Sequence, residues 1–129
     1  MKLLLDTNVL VAAVTNDSER SDLAVELLNQ ADEPHVSVLN LMELRTVLSK
    51  KKQFERGRID GIEDRITART TVTFPDASDV LEANRLQSET LLYPMDALVL
   101  AAAEAVDATL VSFDGELLDH GAKRPADVV

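Results

Sequence analysis

Four short apolar or β-branched runs limit what this chain can fold into: residues 3–5 (LLL), 35–38 (HVSV), 70–74 (TTVTF) and 109–113 (TLVSF). Between them lie segments whose apolar residues recur at helical spacing. Asn8–Val14 reads as a short helix. Leu23, Leu27, Leu28 and Ala31 form a stripe over 19–31, which Pro34 breaks. Leu41, Leu44 and Leu48 mark a helix over 39–52, and Ile59, Ile62 and Ile66 another over 55–69. The run at 70–74 stops at Pro75, and helices follow over 78–91 and from Pro94 through "MDALVLAAAEAV". "DGELLDHG" reads as a turn or short helix, and "ADVV" (126–129) as a last edge strand. Strands that alternate with helices imply βαβ units, so the expected class is α/β with a mostly parallel sheet of four to five strands. No linker, repeat or low-complexity tract divides residues 1–129, and one domain is expected.

The core of such a fold must be aliphatic here, because 46% of the residues are apolar and only 3% aromatic. The chain has no cysteine, which excludes disulfides and thiolate metal sites and fits a reducing compartment. The apolar runs at 9–14 and 97–103 fall far below the roughly 20 residues that span a bilayer. The start of the chain, one Lys and a short apolar run before Asp6, lacks the layout of a signal peptide. A cytoplasmic protein with no membrane contact is expected.

A net charge of −10 argues at first against a polyanionic partner. The charges are unevenly placed, however. Residues 45–69 hold eight of the 13 basic residues, among them Arg45, Lys50, Lys51 and Lys52, against four of the 23 acidic ones. A basic face on an acidic body is compatible with a nucleic acid. Its plainer explanation is a solvated helical surface.

Four acids stand where ligands bind in open parallel sheets, beyond the carboxyl ends of the strands. Asp6 follows the first strand and Asp114 the fourth; Glu43 and Asp96 lie near the starts of the helices after the second strand and after Pro94. Each has an ordinary explanation alone. Asp6 suits a helix cap. Glu43 stands three residues after Asn40, as in a capping box. Asp96 suits a helix dipole, and Asp114-Gly115 is a common turn pair. Together they need a cation or protons, since two carboxylates about 5 Å apart repel by roughly 3 kcal/mol at an effective dielectric near 20. Mg²⁺ takes such oxygen ligands together with water and phosphate oxygens. The chemistry implied is metal-assisted attack of water on a phosphate ester.

The ordered set "LLLDTNVL", Ser37 with Glu43 in "SVLNLMEL", "YPMDALVLAAA" and "LVSFDGEL" resembles the PIN-domain ribonucleases, in particular the small VapC-type toxins of toxin–antitoxin pairs. The likeness covers nearly the whole chain. It implies a PIN-like three-layer α/β/α fold and Mg²⁺- or Mn²⁺-dependent endonucleolytic cleavage of RNA. It carries an acidic quartet onto Asp6, Glu43, Asp96 and Asp114, with Asp6, Asp96 and Asp114 as metal ligands. Thr7, Asn8 and Ser112 become polar supports. Arg45, Lys50, Lys51 and Lys52 would guide the RNA. A homodimer and an antitoxin partner are also implied, with the apolar stripes of the second and third helices as candidate interfaces.

Two other readings compete. A haloacid dehalogenase-like phosphatase also starts with an aspartate after an apolar strand, but it needs a second acid where this chain has Asn8. A PIN-like module that binds RNA or protein without cutting would share the fold; the intact acidic set argues against it.

Overall fold

The computed structural model describes residues 1–16 and 18–129. Strand β1 (Lys2–Leu5) leads into helices α1 (Thr7–Thr15) and α2 (Glu19–Gln30), then β2 (Glu33–Ser37). Helix α3 (Val38–Thr46) runs on into a π-helical turn, Val47–Lys51, and α4 (Arg56–Arg69) precedes β3 (Thr71–Thr73). Helices α5 (Ala77–Glu89) and α6 (Pro94–Ala105) lead to β4 (Thr109–Val111), followed by the single turns α7 (Gly115–Leu118) and α8 (Pro125–Val128).

The four strands are all parallel, in the order β3-β2-β1-β4. Both faces of this sheet are covered, which is why its strands read as continuous apolar runs. Alternate residues of β1 serve opposite layers. Leu3 and Leu5 join Val9, Leu10, Leu44, Leu48 and Ile59 on one side, with helices α1 to α4. Leu4 joins Ala97, Leu100, Leu110 and Leu117 on the other, with α5 and α6. Small buried residues on α6 (Ala97, Ala101, Ala102 and Ala103) let α5 and α6 pack closely. Among the described residues, no helix is long and apolar enough to cross a membrane.

Two local expectations are corrected. Pro34 lies inside β2, opposite Leu3 of β1, rather than in a breaker loop. Pairing with β3 begins only at His35, so the missing N–H of Pro34 falls where β2 has one neighbour. The "ADVV" segment is not a strand: Pro125 opens the helical turn α8, and the edge of β4 is met instead by an isolated bridge from Val111 to Lys123. The stripes of α2 and α3 turn mainly into the core, the commoner use of such stripes, while Val25 on α2 and Met42 on α3 stay exposed. Ala24, Leu27, Leu41, Leu44 and Leu48 are buried in the core, while the exposed large apolar side chains include Phe74, Leu81, Leu91 and Tyr93 around α5 and the start of α6.

Strand order fixes where a site can form. The chain leaves β1 toward β2 and β3 and returns to add β4 on the other flank of β1. The switch point lies between β1 and β4, and the carboxyl ends of these two strands carry Asp6 and Ser112–Asp114.

Candidate active site

Asp6 ends β1 and caps α1. Its Oδ1 accepts a hydrogen bond from the backbone N–H of Thr7 at 2.9 Å. Its Oδ2 accepts one from Ser112 Oγ at 2.7 Å, across the β1–β4 switch. The carboxylate is buried at 7% exposure, so these donors replace water. Ser112 is itself fully buried and collects further partners: Asn8 Nδ2 donates to its Oγ at 3.2 Å and the N–H of Asp114 at 3.0 Å. Asn8 Oδ1 in turn accepts from the N–H of Phe113 at 3.1 Å. Asp6, Asn8 and Ser112 thus bind the segment after β1 to the segment after β4, while Thr7 holds Asp6 from its own side.

Asn40 belongs to the same network. It is not a cap: Ser37 caps α3, its Oγ accepting from the N–H of Leu39 at 3.2 Å. Asn40 lies within α3, fully buried, and its Nδ2 donates to Thr7 Oγ1 at 3.0 Å and to Asp6 Oδ1 at 3.3 Å. Its Oδ1 is buried without a partner among the described residues. Spacing alone made Asn40 look like a capping residue. Polar residues just past the ends of two adjacent strands, Asp6-Thr7 after β1 and Asn40 three residues after Ser37 of β2, are the available signal.

Asp114 caps α7, its Oδ2 accepting from the N–H of Leu117 at 3.1 Å, and it is half-buried. Asp96 lies in the first turn of α6, behind Pro94 at the helix start. It is partly buried, and no hydrogen bond reaches its carboxylate among the described residues. Glu43 is exposed on α3. All four acids line one cavity of about 610 Å³.

The electrostatics reflect this gathering. Burial, joined by the charges of Asp6, Asp114, Glu43 and Glu116, pushes the Asp96 carboxyl up to about 6. Burial also raises Asp6, against the hydrogen bonds from Ser112 and Thr7 and with the help of Glu43 and Asp114. Carboxylates brought together from four separate segments therefore act on one another.

The same cavity has a basic wall. Arg20 from α2 and Lys51 from the π-helical turn line it together with the acids. Lys50 on the same turn and Lys52 just after it are exposed. Arg45 is engaged elsewhere: its Nη2 meets Asp60 at 2.5 Å and its Nε meets Glu63 at 2.7 Å, both on α4. The basic segment did not point to Arg20, which sits among acidic neighbours in "SERSD".

The acids offer oxygen donors only, which suits a hard divalent cation. Among the described residues no three acids or histidines stand close enough together to hold an ion by themselves. Mg²⁺ keeps several waters and asks for only one or two carboxylates. It also relieves the repulsion that raises Asp6 and Asp96, so the donor set fits.

The family model for the PIN domain matches residues 3–123. The fold is similar to that of the Mycobacterium tuberculosis toxin VapC20, described as cleaving the sarcin–ricin loop (19% identity, 94% of this chain and 96% of that one, TM-score 0.79). It is similar to a chain of DNA-bound VapBC from Salmonella typhimurium (19% identity, 96% of each chain, TM-score 0.77). It is also similar to a chain of FitAcB from Neisseria gonorrhoeae (16% identity, 96% of this chain and 98% of that one, TM-score 0.77). Curated proteins yield no match.

Proposed function

The chain belongs to the PIN domain family, and from that premise we propose that it is a metal-dependent endoribonuclease, the toxin of a type II toxin–antitoxin pair. The observation that carries this reading is the convergence of Asp6, Glu43, Asp96 and Asp114 on one cavity, with Asp6 and Asp96 raised by burial and by neighbouring acids. The likeness to VapC20 and to the VapBC and FitAcB chains supports it. Asp6, Asp96 and Asp114 would hold Mg²⁺ or Mn²⁺. When bound, the ion offsets the acids' charge and polarises the scissile phosphate. Asp6 meets this task with its direction fixed by Ser112, Thr7 and Asn40. Glu43, exposed at the rim, takes the proton of the attacking water. Water attacks phosphorus, the 3′-oxygen leaves and takes up a proton, and the products end in 5′-phosphate and 3′-hydroxyl.

Lys50, Lys51 and Lys52 steer the RNA backbone toward the acids. Arg45 contributes by tying α3 to α4 rather than by reaching substrate. The protein works in the cytoplasm as a single domain and a homodimer. An antitoxin segment bearing an arginine suits the acidic cavity. A phosphatase that uses Asp6 as covalent nucleophile fits less well, because both oxygens of Asp6 already accept hydrogen bonds.

The test is incubation of pooled cellular RNA with the purified chain in Mg²⁺, in Mn²⁺ and in EDTA, beside Asp96→Asn and Asp6→Asn, with cut ends mapped by sequencing. Metal-dependent cuts that fall by about a thousandfold in either variant are expected. Intact RNA under every metal condition, from folded protein, would overturn the nuclease in favour of a binding module.

A further inference from the structure

Four acids in one cavity oppose the entry of an RNA backbone, whose every linkage carries a negative charge. Something on the cavity wall must receive a phosphate beside the scissile one. Arg20 is placed for this. It lines the same cavity as the acidic quartet, and its guanidinium carbon lies 4.6 Å from the centroid of the Phe113 ring. Stacking on a ring face holds the guanidinium plane while its edge N–H donors stay available. The ring is in turn anchored. Phe113 is half-buried against the core, and its N–H donates to Asn8, which donates to the same Ser112 that holds Asp6. The direction of Arg20 is therefore tied to the frame that directs Asp6.

Other arginines lack this combination. Arg45 is paired with Asp60 and Glu63, and Arg85 with Glu82 and Glu89. Arg69 donates to the carbonyls of Asn29 and Ala31. Arg58 stacks on Phe54, but neither lines the acidic cavity. Among the described residues no carboxylate pairs with Arg20. Lys51 faces the same cavity from the π-helical turn after α3, so the wall has two cationic groups of different geometry.

We propose that Arg20, stacked on Phe113, forms with Lys51 a phosphate-binding wall that seats the RNA linkage next to the one held by the acids. Arg20 supplies a forked, directional contact to the non-bridging oxygens, and Lys51 a point charge. The assignment rests on the proposed action on RNA, but it concerns binding and is measurable without cleavage.

The experiment measures affinity for a fluorescein-labelled single-stranded RNA oligonucleotide across a salt series, by anisotropy. It uses the full chain carrying Asp96→Asn, alone and combined with Arg20→Ala or Arg20→Lys, each combined variant checked for the same thermal midpoint as Asp96→Asn alone. Arg20→Ala should weaken binding roughly 10- to 100-fold and reduce the salt slope by about one. Arg20→Lys should keep the slope and recover only part of the affinity, since ammonium lacks the fork. Unchanged affinity and slope in folded Arg20→Ala would overturn the wall. Full recovery by Arg20→Lys would overturn the forked contact. If Arg20→Ala weakens binding while the unmutated chain leaves RNA uncut in Mg²⁺ and Mn²⁺, the wall stands and the nuclease falls.

Discussion

The end of β1 and the start of α6 deliver an aspartate to the same cavity and hold it in opposite ways. Asp6 is buried and enclosed by donors from Thr7, Asn40 and Ser112, residues up to 106 positions away. Asp96 is only partly buried, receives no hydrogen bond among the described residues, and is pressed by four like charges. One carboxylate is a fixed post whose direction the fold has already set. The other keeps its charge unbalanced until a proton or a cation arrives. On the proposed metal-dependent reading, such a site would separate geometry from affinity: the Asp6 corner would set position, and the Asp96 corner would supply much of the drive to bind a cation.

Ser112→Ala should have the largest effect on stability. It strips a donor from the buried Asp6 and leaves Asn8 Nδ2 and the N–H of Asp114 without their acceptor. A loss of about 2–3 kcal/mol in urea unfolding is expected, together with reduced cleavage. A loss under about 0.5 kcal/mol, the range of ordinary surface changes, would mean that Asp6 is not held as a post.

Asp96→Asn should act in the opposite direction. Its carboxyl is raised from 3.8 to about 6, so across that interval the folded chain keeps a proton that the unfolded chain has lost. Stability from this group is therefore full below pH about 4 and lost as pH rises through about 6. Because the side chain is only partly buried, screening trims the loss to about 1 kcal/mol at pH 7. In EDTA, Asp96→Asn should melt higher than the unmutated chain at pH 7, and the difference should shrink toward pH 5. The raised Asp6 leaves some slope in both. Equal melting profiles over pH 5–7.5 would remove the contrast between the corners.

The smallest stability effect belongs to residues outside both corners. Neutralising Lys50, Lys51 and Lys52 to Gln should change stability by no more than about 0.5 kcal/mol while flattening the salt dependence of RNA binding. Lost stability with an unaltered salt slope would make the turn a structural element.

Much of this contrast was absent from local spacing. The apolar runs at 3–5 and 109–111 and the helical periods after them place Asp6, Asp96 and Asp114 at element ends, because burial and period are properties of a short window. Asn8 and Ser112 emerged through resemblance, and the structure joins them in one network. The spacing of three between Asn40 and Glu43 matches a capping box, yet Ser37 caps α3 and Asn40 serves the network instead. Its partners lie 33 and 34 residues away, across two adjacent strands.

The sequence by itself determined the alternation of strands and helices, a sheet buried on both faces, and acids at the strand and helix ends. Those follow from the hydrophobic period and from the short reach of helix caps. The tertiary structure decided the order β3-β2-β1-β4, which sets β4 beside β1 and makes a switch point of their ends. It also decided that Arg45 pairs with α4, that Arg20 rests on Phe113, and that "ADVV" closes as a helical turn. These depend on which distant segments pack together, and the partner of a charged side chain is set by that packing rather than by its neighbours in the chain.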